Sequence, residues 1–157
     1  MALSALILLI AAVFALSTDH TRRCGIIVAM ATLPFVTFLA EYPNILSEAV
    51  GDRVTFGYAT IDVVVAAVLI IRPTTVCMVL AALYAASALV NVGAGIVFVT
   101  DHDSFFYDNY GSIMFFLNIA QACALTGGTA GRLLDHGADA ARHYLDSHPR
   151  GRHSRDS

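Results

Sequence analysis

Asp62 is the residue whose type and setting point most directly to chemistry, because it is an acid inside a long apolar run. Eight of the eleven residues from 61 to 71 are Val, Leu or Ile. A carboxylate at the centre of a membrane helix costs about 2.5–3.5 kcal/mol, and each of these aliphatic side chains returns about 0.3–0.6 kcal/mol. Since loss of water penalises the charged form, we expect Asp62 to be protonated or to hold a cation, and to face protein or water rather than lipid.

Polar side chains elsewhere recur at helical spacing and are candidate partners for this acid. Tyr58 lies one turn before Asp62, and Asn118 and Gln121 are three residues apart, which places them on the same side of a helix. The predicted polar network, or ion pathway, consists of Asp62, Tyr58, Asn91, Asn118 and Gln121. Such a network has two interpretations. It either joins helices by hydrogen bonds worth about 0.6–2 kcal/mol each, or lines a route for protons or cations.

Small residues predict where helices pack closely. Ser87, Asn91 and Gly95 recur every four residues, and Gly127 and Gly131 form a GxxxG pattern. Small side chains let helix backbones approach each other, within one chain or between copies. A further local signal is Pro34, which removes a backbone donor and predicts a kink or hinge in its helix.

The composition indicates that these residues lie in a membrane protein. Hydrophobic residues make up 57% of the 157-residue chain and charged residues 13%, against about 25% charged in an ordinary soluble domain. The formal charge of −3, with no Lys, excludes a basic nucleic-acid-binding protein. A soluble enzyme of this composition would expose apolar surface almost everywhere, so we expect the lipid bilayer to be the partner of most of the surface.

Hydropathy predicts an all-α, polytopic membrane helix bundle. Five segments approach the length of about 20 apolar residues that a span requires. A polar stretch follows them, and we divide the chain into a transmembrane bundle over 1–131 and a cytoplasmic amphipathic helix with a disordered tail over 132–157. The predicted spans are Ala2–Thr18, Cys24–Ala40, Val54–Ile71, Thr74–Thr100 and Gly111–Gly131.

The arginines predict the orientation. With the N-terminus outside, the inner segments are 19–23, 72–73 and the tail, and they hold eight of the nine arginines, leaving only Arg53 outside. Arg concentrates on the cytoplasmic side of membrane proteins, which predicts an N-out/C-in protein of a plasma membrane, the inner membrane in a bacterium. Four spans would remain if the first segment were a cleaved signal peptide, but that segment lacks the usual basic start.

The three cysteines, Cys24, Cys77 and Cys123, all fall within predicted spans. None lies in an outer loop, and no CxxC pair is present. We therefore expect three free thiols that behave as small buried hydrophobic residues.

Two clusters of acids and histidines raise the question of a metal. Neither spacing matches a known calcium or zinc pattern, so solvated surfaces and an aromatic interfacial belt are the favoured interpretations, and we expect no metal. The clusters are Asp101, His102, Asp103 and Asp108, and His136, Asp139 and His143.

Three functions fit these features. The first is an oligomeric channel or pore around Asp62, similar in type to the short, multi-span phage holins, although it shares no motif with them. The second is a structural subunit or assembly factor of a larger membrane complex, and the third is a proton- or cation-coupled small carrier. The sequence contains none of the common hydrolase or nucleotide-binding motifs and no intramembrane histidine pair for haem, so we expect no catalysis and no cofactor.

Overall fold

Every element of the computed structural model is helical in the residues that it describes, which are 2–41, 51–71, 74–100 and 105–147. The predicted all-α class is therefore confirmed for this part of the chain. The helices are α1 (Ala2–Phe14), α2 (Asp19–Glu41), α3 (Gly51–Ile70), α4 (Thr75–Thr100) and α5 (Phe105–Ser147), with a 3₁₀ turn at Ala15–Ser17 after α1.

Two of the described helices are long and apolar enough to cross a membrane, judged by length and composition. These stretches are Thr75–Val97 in α4 and Asn109–Tyr144 in α5. The apolar stretches Leu3–Ser17 and Thr55–Ile70 are shorter. The core helices of soluble proteins pass the same test, so the five-span topology stays a prediction. The loop metal cluster, apart from the backbone of Asp108, and residues 148–157 of the tail lie outside the described residues.

The boundary between the first two helices differs from the predicted one. Residues 19–23, expected to connect two spans, form the first turns of α2. Thr18 is extended at φ −126° and ψ 138°, and its carbonyl accepts a hydrogen bond from the backbone N–H of Arg22 at 2.9 Å. Asp19 then lies in the first turn, where a negative charge is favourable beside the unpaired N–H groups. The local hydrogen bonding thus starts the helix at Asp19, although the polarity of residues 19–23 predicts a connection between two spans.

Helix α5 passes through the predicted domain boundary without a break, continuing from Phe105 to Ser147. Side chains 131–144 are all exposed. At about 1.5 Å per residue the helix is ~65 Å long, about twice the hydrocarbon thickness of a bilayer. Its C-terminal third is thus a single helix that extends beyond the packed part of the chain.

The helices pack around a circuit that is loosely closed on one side. Helix α2 contacts α1, α1 contacts α5, α5 contacts α4, and α4 packs extensively along α3. Contact between α3 and α2 is sparse. At one end of this α2–α3 seam, Arg23 donates from Nη2 to the carbonyl of Val68 at 3.4 Å, near the C-terminus of α3. A cation at that position complements the negative end of the helix dipole. Along the rest of the seam, α2 and α3 leave a groove between them.

Among the glycines whose surroundings the structure describes, three lie at close helix approaches, and the sequence pattern predicts only Gly95 of these. A Cβ at Gly25 would lie 2.6 Å from the carbonyl oxygen of Ala12, so α1 and α2 pack backbone to backbone there. Gly95 lies against Phe56 of α3, and Gly128 against Val76 of α4. At Gly127 and Gly131, an added Cβ would meet no atom within 4 Å. Their role in packing therefore stays a prediction for contacts between copies of the chain.

The expectation of three free cysteines is wrong for two of them. Cys24 and Cys77 form a disulfide that joins α2 to α4, with their Cα atoms 6.3 Å apart, while Cys123 is free and exposed. Helix packing supplies the separation of about 4.4–6.8 Å that a disulfide requires, and neither an outer loop nor a CxxC motif is needed. Both bonded cysteines are buried, at 0% and 4% exposure. The bond is therefore shielded from dissolved reductants.

Candidate functional site

A chain of two hydrogen bonds links three helices around Asp62. Asn91 of α4 donates from Nδ2 to Oδ2 of Asp62 on α3 at 2.8 Å. Tyr110 of α5 donates its hydroxyl proton to Oδ1 of Asn91 at 2.6 Å. Asn91 is fully buried, and both the donor and the acceptor of its side-chain amide are bonded within the protein. The amide thereby fixes the orientation of the carboxyl group and ties it to the start of α5.

These residues form part of the wall of a cavity of about 500 Å³. Helices α2, α3, α4 and α5 all contribute to it, and most of the wall is apolar. The polar side chains on the wall are Thr32, Tyr58, Asp62, Tyr84, Asn91, Tyr110 and Asn118. Small-molecule sites have this character, with an apolar lining and a few convergent polar groups.

The cavity opens between α2 and α3, where the two helices barely touch. Met30 and Ile61 line this side and are 72% and 43% exposed. Gly57 lies on the same side, and a methyl group placed there would meet nothing within 4 Å. A second cavity of about 370 Å³, lined by Met30, Ile61 and residues as far as Val68, continues along the seam. The mouth of the Asp62 cavity is thus the end of an apolar groove.

Asp62 is the only acidic or basic residue on the cavity wall in the described part of the chain. It is half-buried, and no Arg or His among the described side chains lines the cavity with it. An ionised carboxylate in such surroundings requires a compensating cation, and otherwise the group is protonated. The described residues contain no cluster of three or more His, Cys, Asp or Glu that could hold a metal ion. The site therefore provides one negative charge at most.

The buried tyrosine of α4 contributes its ring to the wall, but not its hydroxyl. Tyr84 is 4% exposed, and its hydroxyl, which makes no hydrogen bond within the part of the chain that the structure describes, is enclosed by protein. Thr32 is a neighbouring hydroxyl that donates to the carbonyl of Val28 in its own helix at 2.7 Å, so its oxygen can still accept from Tyr84. The Tyr84 hydroxyl is therefore out of reach of a group that enters the cavity.

The structure divides the remaining predicted network residues between two places. Tyr58 and Asn118 lie on the cavity wall, and Asn118 also donates from Nδ2 to Oγ of Ser4 in α1 at 3.1 Å. Gln121 lies away from the cavity and donates from Nε2 to Oγ of Ser87 at 3.1 Å, inside the α4–α5 contact. Three residues apart on a helix corresponds to an offset of ~60°, which is enough to direct the two amides to different neighbours.

Pro34 also lies on the cavity wall, within an α2 that continues through it. The hydroxyl of Thr37 donates to the carbonyl oxygens of Leu33 and Pro34, at 3.1 and 2.9 Å. Neither is the carbonyl that Pro34 leaves without a helical donor, which is that of Met30 four residues earlier. A hinge at Pro34 stays a prediction.

Sequence reasoning missed Tyr84 and Tyr110 as members of the site, although the spacing contained a signal for each. Tyr84 precedes Asn91 by seven residues, which is two turns on the same helix face. Tyr110, Met114 and Asn118 recur every four residues along α5, and all three line the cavity. The acidic, aromatic-rich stretch before Tyr110 favours an interfacial belt instead, and this local composition obscures the helical spacing.

Comparison of the chain with protein-family models, with curated proteins and with solved structures gives no significant match.

Proposed function

We propose that the chain is an integral membrane protein without catalytic activity that binds a cation, a proton included, at Asp62 and carries it across the bilayer. The observation that carries this proposal is the placement of Asp62. It is fixed by Asn91 inside a cavity whose described wall carries no opposite charge and that opens between α2 and α3. An ionisable group held in this way is a binding site for a cation or proton by default in membrane proteins.

The distribution of side chains supports the membrane setting. Large apolar residues point outward on every side of the described bundle, for example Leu89 at 76%, Phe116 at 69% and Leu3 at 63% exposure. Polar residues lie between the helices instead, with Asn91 and Gln121 at 0% and 1%. A soluble monomer rarely exposes so continuous an apolar surface, whereas helices in lipid pack through small and polar side chains.

Contacts between helix ends support the N-out/C-in, multi-pass arrangement that we propose. Thr129 of α5 donates its hydroxyl proton to Oγ1 of Thr21 at 3.0 Å, which brings the start of α2 beside the inner part of α5. Arg22 and Arg23 follow Thr21 directly, and Arg132 lies one turn after Thr129. These arginines therefore cluster at one end of the bundle, which we assign to the cytoplasm of a cell with a plasma or inner membrane.

Two features favour a carrier over a pore formed between copies. The cavity is built by four helices of a single chain, and the Asp62 carboxyl is bonded inward to Asn91. A pore on an axis between subunits would need its ring of acids to point away from the chain's own core. Homo-oligomerisation is compatible with either arrangement, because each copy brings its own site.

A structural role in a larger membrane complex is the second candidate, and the other amides favour it. The Asn118–Ser4 and Gln121–Ser87 hydrogen bonds join α5 to α1 and α5 to α4. Bonds of this kind hold membrane helices together without any ligand. A protein that serves only this purpose would move no cation.

The two candidates are separated by flux through purified protein in liposomes. With a potassium diffusion potential imposed by valinomycin, the carrier should bring protons into the vesicles, measured with a pH-sensitive dye in the lumen. Replacing Asp62 with Asn retains the shape of the group and its hydrogen-bond acceptor but removes the titratable proton. We therefore expect Asp62→Asn to reduce the protein-dependent flux to the level of empty liposomes.

Asp135→Asn is the matched control, because it makes the same chemical change on the exposed part of α5. It should leave the flux unchanged. Labelling with maleimide–polyethylene glycol verifies that each variant pairs α2 with α4. When the Cys24–Cys77 disulfide has formed, Cys123 alone is labelled. A flux that survives Asp62→Asn in correctly folded protein would reject the carrier, and a wild-type flux equal to that of empty liposomes would reject the proton as its cargo.

A further inference from the structure

We propose that the Asp62 cavity takes a lipophilic organic cation, an apolar body with one positive charge that enters sideways from the lipid between α2 and α3. This inference rests on the proposed function, since it names the class of cation that the same site binds. It is carried by the size of the cavity, its single acid, its three tyrosine rings and the position of its mouth.

The size and lining of the cavity exclude a site built for a bare metal ion. Its volume of about 500 Å³ lies within the range of ~300–1,000 Å³ that is typical of small organic ligands. A hard cation such as Ca²⁺ takes about six to eight oxygen ligands at short distance. The described wall supplies a single carboxylate; its other polar groups are neutral hydroxyls and amides, and the remaining side chains are apolar, including Met30 and Met114. Apolar surface of this kind is matched by a hydrocarbon body.

The electrostatic features of the wall all favour a positive charge on that body. Asp62 supplies the single negative charge, without an Arg or His on the described wall to neutralise it. Tyr58, Tyr84 and Tyr110 contribute three aromatic rings to the same wall. The faces of such rings attract organic ammonium groups by about 0.5–2 kcal/mol each when water is excluded. A neutral or anionic ligand would gain none of this.

The charged end of the ligand is matched best by a protonated amine. The N–H groups of an amine can donate charge-assisted hydrogen bonds to the carboxylate of Asp62. The Tyr84 hydroxyl takes no part in this, because it is enclosed by protein and only the ring contributes to the wall. The preferred ligand is therefore a protonated amine.

The mouth of the cavity indicates that the ligand arrives from the lipid. Met30 and Ile61 form it, and both present apolar side chains outward. The apolar groove that continues along α2 and α3 shares these two residues with the cavity. A chain or ring attached to the charged group would lie in this groove, while the charge reaches Asp62. A purely hydrophilic cation gains nothing from such a route.

The test uses two probes of equal shape, 4-phenylbutylamine, which is protonated at neutral pH, and 4-phenylbutanol, which is not. Binding to the full chain in lipid nanodiscs is measured by titration calorimetry, with empty nanodiscs subtracted. We expect one saturable amine site per chain, with affinity at least about tenfold above that for the alcohol. Asp62→Asn should weaken amine binding at least about tenfold, because the charged partner is lost.

Two further variants separate the cavity from a general effect of charge. Gly57→Leu adds a side chain at the mouth, where a Cβ meets no atom within 4 Å, and keeps Asp62, and it should also weaken the amine at least about tenfold. Asp135→Asn, on the exposed part of α5, should change nothing. Disulfide formation between Cys24 and Cys77 again reports correct folding.

Two results would overturn the organic-cation site. One is equal affinity for the amine and the alcohol, and the other is amine binding that folded Asp62→Asn or Gly57→Leu retains. If Asp62-dependent proton flux persists while the amine fails to bind, this inference falls and the proposed carrier stands, with a proton or inorganic ion as its cargo. If neither flux nor binding depends on Asp62, the proposed function falls with it.

Discussion

Removing the Cys24–Cys77 disulfide should lower the free energy of unfolding by about 4 kcal/mol, the largest stability effect expected of any small change in this chain. The bond closes a loop between residues 53 positions apart and joins α2 to α4. Closing a loop of this length restricts the unfolded chain and so favours the folded one. The double variant Cys24→Ala, Cys77→Ala removes the bond without placing a polar group in the buried site.

Unfolding of the purified protein in detergent, followed by the helical circular-dichroism signal, measures this change. Cys123→Ala is the control, because this cysteine is free and exposed, and it should shift the free energy of unfolding by less than about 0.5 kcal/mol. A double variant as stable as the control would mean that the two cysteines are not bonded in the folded protein.

Replacing Asn91 with Leu should be the next most damaging change and should cost about 1–3 kcal/mol of unfolding free energy. The substitution removes the donor to Asp62 and the acceptor for Tyr110 at once. Leu has a similar volume, so the loss is chiefly one of hydrogen bonding rather than of packing.

A double-mutant cycle with Tyr110→Phe isolates the bond between the two side chains. Tyr110→Phe alone should destabilise the protein, since Asn91 loses the partner of its Oδ1 atom. In the Asn91→Leu background the same change should cost less than about 0.5 kcal/mol, because the bond is already absent. Strictly additive effects in the cycle would show that Asn91 and Tyr110 do not interact.

The helices could be predicted from the sequence because their apolar runs are long, whereas the start of α2 and the end of the last span in α5 could not. Predicted and observed limits agree closely for α3 and α4. They differ at α2, where polar residues that look like a connection form the first helical turns after Thr18. Hydropathy measures the preference for an apolar setting, and helix starts depend instead on local hydrogen bonding.

The sequence predicts the acid of the candidate site, its hydrogen-bond partner Asn91 and two further residues of the wall, Tyr58 and Asn118, but not the geometry of the site. Asp62 stands out because a carboxyl group is costly in an apolar helix, and Asn91 because amides seek partners there. Helix α4 is apolar nearly all around, so its sequence does not determine which face meets α3. The sequence thus does not predict that Gln121 faces Ser87 of α4 and lies away from the cavity. The sequence does not predict the Cys24–Cys77 pair for the same reason, because the pairing depends on how α2 and α4 are rotated about their axes.

The most direct test of the central claim asks whether the Asp62 carboxyl lies in an apolar cavity that is reached from lipid. Dicyclohexylcarbodiimide partitions into membranes and reacts with protonated carboxyl groups there, whereas its water-soluble counterpart with a charged side chain reacts with carboxyl groups in water. Peptide mass spectrometry of protein treated in membranes should find the lipid-soluble reagent on Asp62 and the water-soluble one on the exposed Asp19 and Asp135. An Asp62 that resists the lipid-soluble reagent and is modified by the water-soluble one would contradict the account.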